Sequence, residues 1–85
     1  MSEVSDDIIG LVQAVVVPLV EFPDEVSVAL GEEHDDLIVV NISVNEQDAG
    51  KVIGRQGRVI KSIRTLARAA ASKTDARVEV ELLDS

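Results

Sequence analysis

The sequence is 85 residues long and 46% apolar, with sixteen Asp and Glu against eight Lys and Arg, for a formal net charge of −8. A chain of that size makes one domain and buries only ~60 to 65% of its unfolded surface, which leaves little room for an enclosed active site. With no Cys there is neither a disulfide framework nor a thiolate metal centre, so the fold must rest on packing, as in a protein of a reducing compartment, and the cytoplasm is the expected location.

In chain order, Met1 to Asp7 is acidic, whereas a secretory leader begins with positive charge. Ser5 followed by Asp6 and Asp7 reads as a helix start, because a hydroxyl caps free amides and acids complement the N-terminal dipole. Apolar residues at 8, 9, 12, 15, 16 and 19 then keep helical spacing, so a helix is expected to about Val17 or Val20, weakened by Pro18 and ended by Pro23. Its apolar run, Ile8 to Val20, falls short of the ~20 residues of a membrane helix and is broken by Gly10, Gln13 and Pro18; no membrane insertion is expected.

Val26, Val28 and Leu30 alternate with Glu25, Ser27 and Ala29, which predicts a strand. A charged turn follows, and Ile38, Val40, Ile42 and Val44 then share one face of a second strand from Leu37 to Val44, so the two make a hairpin. His34 sits in that turn among Glu32, Glu33, Asp35 and Asp36, but contiguous turn residues do not converge on one ion and no second His exists; no metal site is expected. Asn45 offers a cap for a short helix through about Val52, with Glu46 and Asp48 in its first turn, and Gly54 and Gly57 interrupt the helix. Arg58 to about Ser72 is the best helix of the chain, and Arg77 to Leu83 alternates as the last strand.

The expected fold is therefore α+β in the order α-β-β-α-α-β: a single domain over 1–85 with its core at about 5–83, and a three-stranded mixed sheet covered on one face by helices. The second and third strands, joined through two helices, can lie parallel with a right-handed crossover.

Charge is segregated along this order. Residues 1 to 50 sum to −12, residues 51 to 77 to +7 and the remainder to −3, so positive potential gathers on one stretch, and phosphate contacts answer to charge within a Debye length, ~8 to 10 Å. On the helix from Arg58, Val59, Ile60, Ile63, Leu66, Ala67 and Ala70 fall on one face, while Arg58, Lys61, Arg64 and Arg68 gather opposite, without acidic partners in the helix. Two glycines three apart, Gly54 and Gly57, permit a tight reversal and let a sugar-phosphate chain approach main-chain amides. Lys51 precedes this loop, Arg55 and Gln56 lie in it, and amides of Arg58 and Val59 would add the partial charge of a helix N-terminus. Bases would turn toward an apolar surface drawn from Val52, Ile53, Ile60, Ile42 and Val44.

Other chemistry finds no support. Val52 follows Gly50-Lys51 where a nucleotide loop needs Ser or Thr, and Ser62 and Ser72 have no evident base, so neither catalysis nor a cofactor is expected. With Phe22 as the only ring besides His34, aromatic stacking platforms are lacking too.

The segment Val52-Ile53-Gly54-Arg55-Gln56-Gly57-Arg58-Val59-Ile60 resembles the KH signature, whose GXXG loop clamps about four backbone nucleotides. The element order resembles the type II arrangement, and Phe22-Pro23-Asp24-Glu25-Val26, Asp48-Ala49-Gly50-Lys51-Val52-Ile53-Gly54 and Ile63-Arg64-Thr65-Leu66 resemble the small stand-alone bacterial KH proteins of the KhpA family. That resemblance implies a cytoplasmic protein that binds single-stranded RNA as a chaperone or regulator acting on RNA fate, cell elongation and division. It also implies a homodimer, and a partner of the KhpB or Jag type. By position the resemblance implies a clamp at Gly54, Arg55, Gln56 and Gly57 with Lys51 and Arg58 as flanking phosphate contacts, and the basic helix face and apolar surface read from the residues add Ile53, Ile60, Lys61 and Arg64 as expected RNA-binding residues. Set against it is an interaction module whose basic helix docks on an acidic protein, RNA being bound only in the complex, a reading that the net charge keeps open.

Overall fold

The structure, a computed structural model, describes residues 3–32, 36–72 and 74–83; the turn residues at 33–35, His34 among them, lie outside these. The first helix, α1, spans Glu3–Val16. Ser5 is thus inside the helix rather than capping it, with 8% of its surface exposed. Val4 packs against the core and carries the helix further back than the polar signal suggests, and Glu3 and Asp6 meet the N-terminal dipole. At its other end α1 passes into a 3₁₀ turn, Val17–Leu19, in which Pro18 sits at the start where its missing N–H costs nothing. Pro23 opens a second such turn, Pro23–Glu25.

Strand β1 (Ser27–Leu30) pairs antiparallel with β2 (Leu37–Ser43), Val28 opposite Ile42 and Leu30 opposite Val40. Asn45 then caps as its sequence suggests, its side-chain oxygen accepting from Gln47 N at 2.9 Å. A 3₁₀ turn, Glu46–Asp48, leads into α2 (Ala49–Ile53), a tight turn at Arg55–Gly57 and α3 (Arg58–Ala70). The last strand, β3 (Arg77–Leu82), lies parallel to β2 with Val80 opposite Val40, and the sheet order β1-β2-β3 leaves β3 at an edge. This is the α-β-β-α-α-β order of a type II KH fold.

The core joins Ile8, Val12 and Val16 of α1, Val40 and Ile42 of β2, Val52 of α2, Ile60, Ile63 and Ala67 of α3, and Val78 and Val80 of β3. Without large rings, aliphatic side chains fill the space between helices and sheet, and strand alternation puts exposed Glu79 and Glu81 on the sheet's other face. The buried stripe of α3 is narrower than its sequence suggests. Leu66, placed on the core face by spacing, is 44% exposed, because the stripe follows 60, 63, 67 and 71, leaving position 66 on its flank.

Candidate nucleic-acid interface

The loop between α2 and α3 is built on backbone that side chains resist. Gly54 has φ 76° and ψ 176°, a region nearly reserved for glycine, and a Cβ there would stand 2.9 Å from Val59 N. Gln56 (φ 58°) and Gly57 (φ 74°) follow in left-handed conformation. The turn's own hydrogen bonds begin at Gly57 N, which donates to Gly54 O at 3.2 Å, and continue with Arg58 N to Arg55 O. The amides of Arg55 and Gln56 are therefore not consumed by the turn; that of Arg58, counted from sequence among the free helix amides, is. Arg55, Gln56 and Arg58 are exposed, and Arg58 Nη2 donates to Gln56 Oε1 at 3.2 Å, holding two of the loop's polar side chains together.

One turn earlier, α2 is stapled to the distant segment after α1. Asp48 is fully buried, and its carboxylate accepts from Glu21 N and Phe22 N, both at 3.0 Å. Lys51 Nζ donates to the same group at 3.2 Å and lies 3.7 Å from Glu21 Oε2. Burial by itself raises the Asp48 pKa, but the two amides and the Lys51 ammonium outweigh it and hold the group below the ordinary carboxylate value. Nearby, Asn45 Nδ2 donates to Glu25 Oε2 at 2.9 Å, a second tie between the same two segments. Lys51 thus stands before the loop, but as a cation already facing two carboxylates.

Along α3, away from the loop, the helix and the edge strand β3 frame two adjoining grooves. One, of about 210 Å³, is lined by Arg64, Arg68, Glu79, Val80 and Glu81. The other, of about 310 Å³, shares Arg68 and Glu79 and continues to Ser72, Thr74 and Arg77. Arg77 N donates to Asp36 O and Leu83 N to Ile42 O, so odd-numbered residues of β3 bond to β2. By alternation the main-chain groups of Val78, Val80 and Leu82 face outward. Arg64 Nε reaches this edge and donates to Val80 O at 3.4 Å.

The basic face expected from sequence is thereby divided. Arg55 lies in the loop, Arg58 follows it and Lys61 is exposed on the first turns of α3, whereas Arg64 is half-buried against β3 and Arg68 lines the groove together with Glu79. Ile53 is 42% exposed next to Gly54, while Val52, Ile42, Val44 and Ile60 belong to the core. Of the apolar surface considered for bases, Ile53 is the exposed part. Asp48, the outward edge of β3 and Arg77 were not singled out from sequence. For β3 a signal existed, since a third strand paired on one side leaves alternate main-chain groups open; for Asp48 none did, its partners lying far off in the chain.

Comparison with known proteins adds the family. The model of the KhpA/KhpB KH domain matches residues 10–82. The chain belongs to that family. Among KhpA relatives, the chain is 42% identical over 74 residues to the RNA-binding protein KhpA of Listeria monocytogenes, covering 87% of this chain and 96% of the relative. It is 43% identical over 74 residues to that of Bacillus subtilis, covering 87% and 90%, and 44% identical over 75 residues to that of Clostridium perfringens, covering 86% and 96%. No solved structure matches it. Within this KhpA-type chain, no helix among the described residues is long and apolar enough to cross a membrane.

Proposed function

We propose that the chain binds single-stranded RNA, the phosphate backbone lying against the loop Gly54-Arg55-Gln56-Gly57 and the bases running along the groove between α3 and β3. The observation that carries this reading is a loop whose own turn bonds begin at Gly57 N and leave the amides of Arg55 and Gln56 outside them, with Arg58 at its side and, beyond, an edge of β3 that no other described strand pairs. An anion close to such amides gains charge-assisted hydrogen bonds, and a strand edge offers donors and acceptors to base edges. The relatives' name, RNA-binding protein KhpA, supports the same reading. Lys51 contributes by orienting α2 more than by touching phosphate, since Asp48 and Glu21 already hold it.

Replacing Arg55 and Gln56 together by Asp sets two carboxylates where phosphate would lie, and abolishes binding to short single-stranded RNA while the circular dichroism of the fold is kept. Undiminished affinity in that folded variant refutes the proposal. The net charge of −8 favours a second reading, docking of the basic helix on an acidic protein. Titrating RNA at rising salt separates the two: RNA binding weakens with a logarithmic slope of ~0.7 per phosphate contacted, whereas the second reading predicts no binding by the isolated chain even at low salt. A second copy of the chain and a KhpB-type protein are the protein partners this reading admits, and sedimentation of the chain alone decides the first.

A further inference from the structure

Resting on that reading of the groove, we infer that Arg64 sets which bases the groove accepts, favouring keto over amino edges. The outward edge of β3 presents a donor and an acceptor at each of Val78, Val80 and Leu82, the pattern against which a base edge is read. One of these acceptors is taken. Arg64 is half-buried, lines the groove together with Val80, and donates from Nε to Val80 O at 3.4 Å.

A guanidinium carries five N–H donors and no acceptor, and it keeps its charge at any working pH. Seated at that carbonyl, it changes the wall there from acceptor to donor and brings the remaining N–H groups of Arg64 to the groove. An amino group, such as N4 of cytosine or N6 of adenine, then meets donors and a positive charge; a keto oxygen, such as O4 of uracil or O6 of guanine, meets partners. Glu79 and Glu81 also line the groove, but alternation stands their side chains on the sheet face away from the helices, while Arg64 arrives from the helix side. Arg68 adds a second cation along the same wall. Uracil and cytosine differ by this keto-for-amino exchange at the fourth ring position, with N3 passing from donor to acceptor beside it, so the pair tests whether Arg64 reads the fourth position rather than N3.

The measurement is fluorescence anisotropy of oligouridine and oligocytidine of equal length with the full chain and with Arg64→Met and Arg64→Lys. The chain is expected to bind oligouridine about fivefold tighter, the worth of one net hydrogen bond. Arg64→Met levels or reverses that ratio, and Arg64→Lys, which keeps the charge and loses the planar fork, also loses the preference. Thermal denaturation confirms that both variants fold. Equal affinity for the two oligonucleotides in the unsubstituted chain, or a ratio that survives Arg64→Met, overturns the role of Arg64 while leaving RNA binding standing. Failure of the unsubstituted chain to bind either overturns both this inference and the reading on which it rests.

Discussion

At the scale of the residue, the most constrained side chain is Asp48. Its carboxylate is fully buried and its three partners come from two places in the chain, the amides of Glu21 and Phe22 and the ammonium of Lys51. Replacement by Ala leaves two main-chain amides without their acceptor, which destabilises more than loss of a surface carboxylate. The pKa of Asp48 is lowered from an unfolded value of 3.8, so folding favours the ionised form. Its contribution is therefore fully present above that unfolded value and is lost as pH falls through the lower folded one. Urea midpoints measured across the acid range should fall below pH ~4 in the native chain, whereas Asp48→Asn should be less stable at neutral pH and show a flatter decline. An identical decline in the variant shows that other carboxylates govern acid sensitivity.

At the scale of the element, the two loop glycines are unequal, although they look equivalent in the sequence. Gly54 combines φ 76° with ψ 176° and a site where a Cβ would meet Val59, while Gly57 is in ordinary left-handed geometry with its nearest atom, Ile60 Cγ2, at 3.9 Å. Gly57→Ala should cost ~1–2 kcal/mol of stability, while Gly54→Ala, in which backbone strain is joined by collision of the new Cβ with Val59, should cost more, deform the junction of α2 and α3 and weaken RNA binding; paired urea denaturation and RNA titration check the order. Equal losses at the two positions contradict it. The presence of this loop was legible from residue types and spacing, as was the order of elements, because periods of 3.6 and 2 are local properties. Asn45 was read correctly as a cap for the same reason, since its partner is two residues away. Asp48 was read as a first-turn acid and proved to be a buried staple, because its amide partners lie 26 and 27 residues upstream. Leu66 and Arg64 were assigned to opposite faces of α3 from spacing. How the helix is rotated against β3 depends on packing across the sheet, and that rotation exposes Leu66 and brings Arg64 to Val80.

At the scale of the whole molecule, an acidic body carries a basic loop, and the two act on a polyanion at different ranges. On the proposed reading, contacts of RNA with Arg55 and Arg58 would be short and persist under screening, whereas repulsion from exposed Asp6 and Asp7 at the start of α1 would act through solvent. Two unit charges ~15 Å apart in water interact by ~0.3 kcal/mol before screening, so neutralising two such acids facing one phosphate at that range should tighten RNA binding by up to roughly threefold at ~0.01 M salt, where the Debye length is ~30 Å. At ~0.15 M salt that length is ~8 Å and the gain should vanish. Asp6→Asn with Asp7→Asn, titrated with RNA at both salt concentrations, tests this. A gain that persists at the higher salt assigns the two acids to the neighbourhood of bound RNA. No gain at the lower salt means that the acidic body lies too far from the strand to matter, and that the net charge of −8 places no limit on affinity.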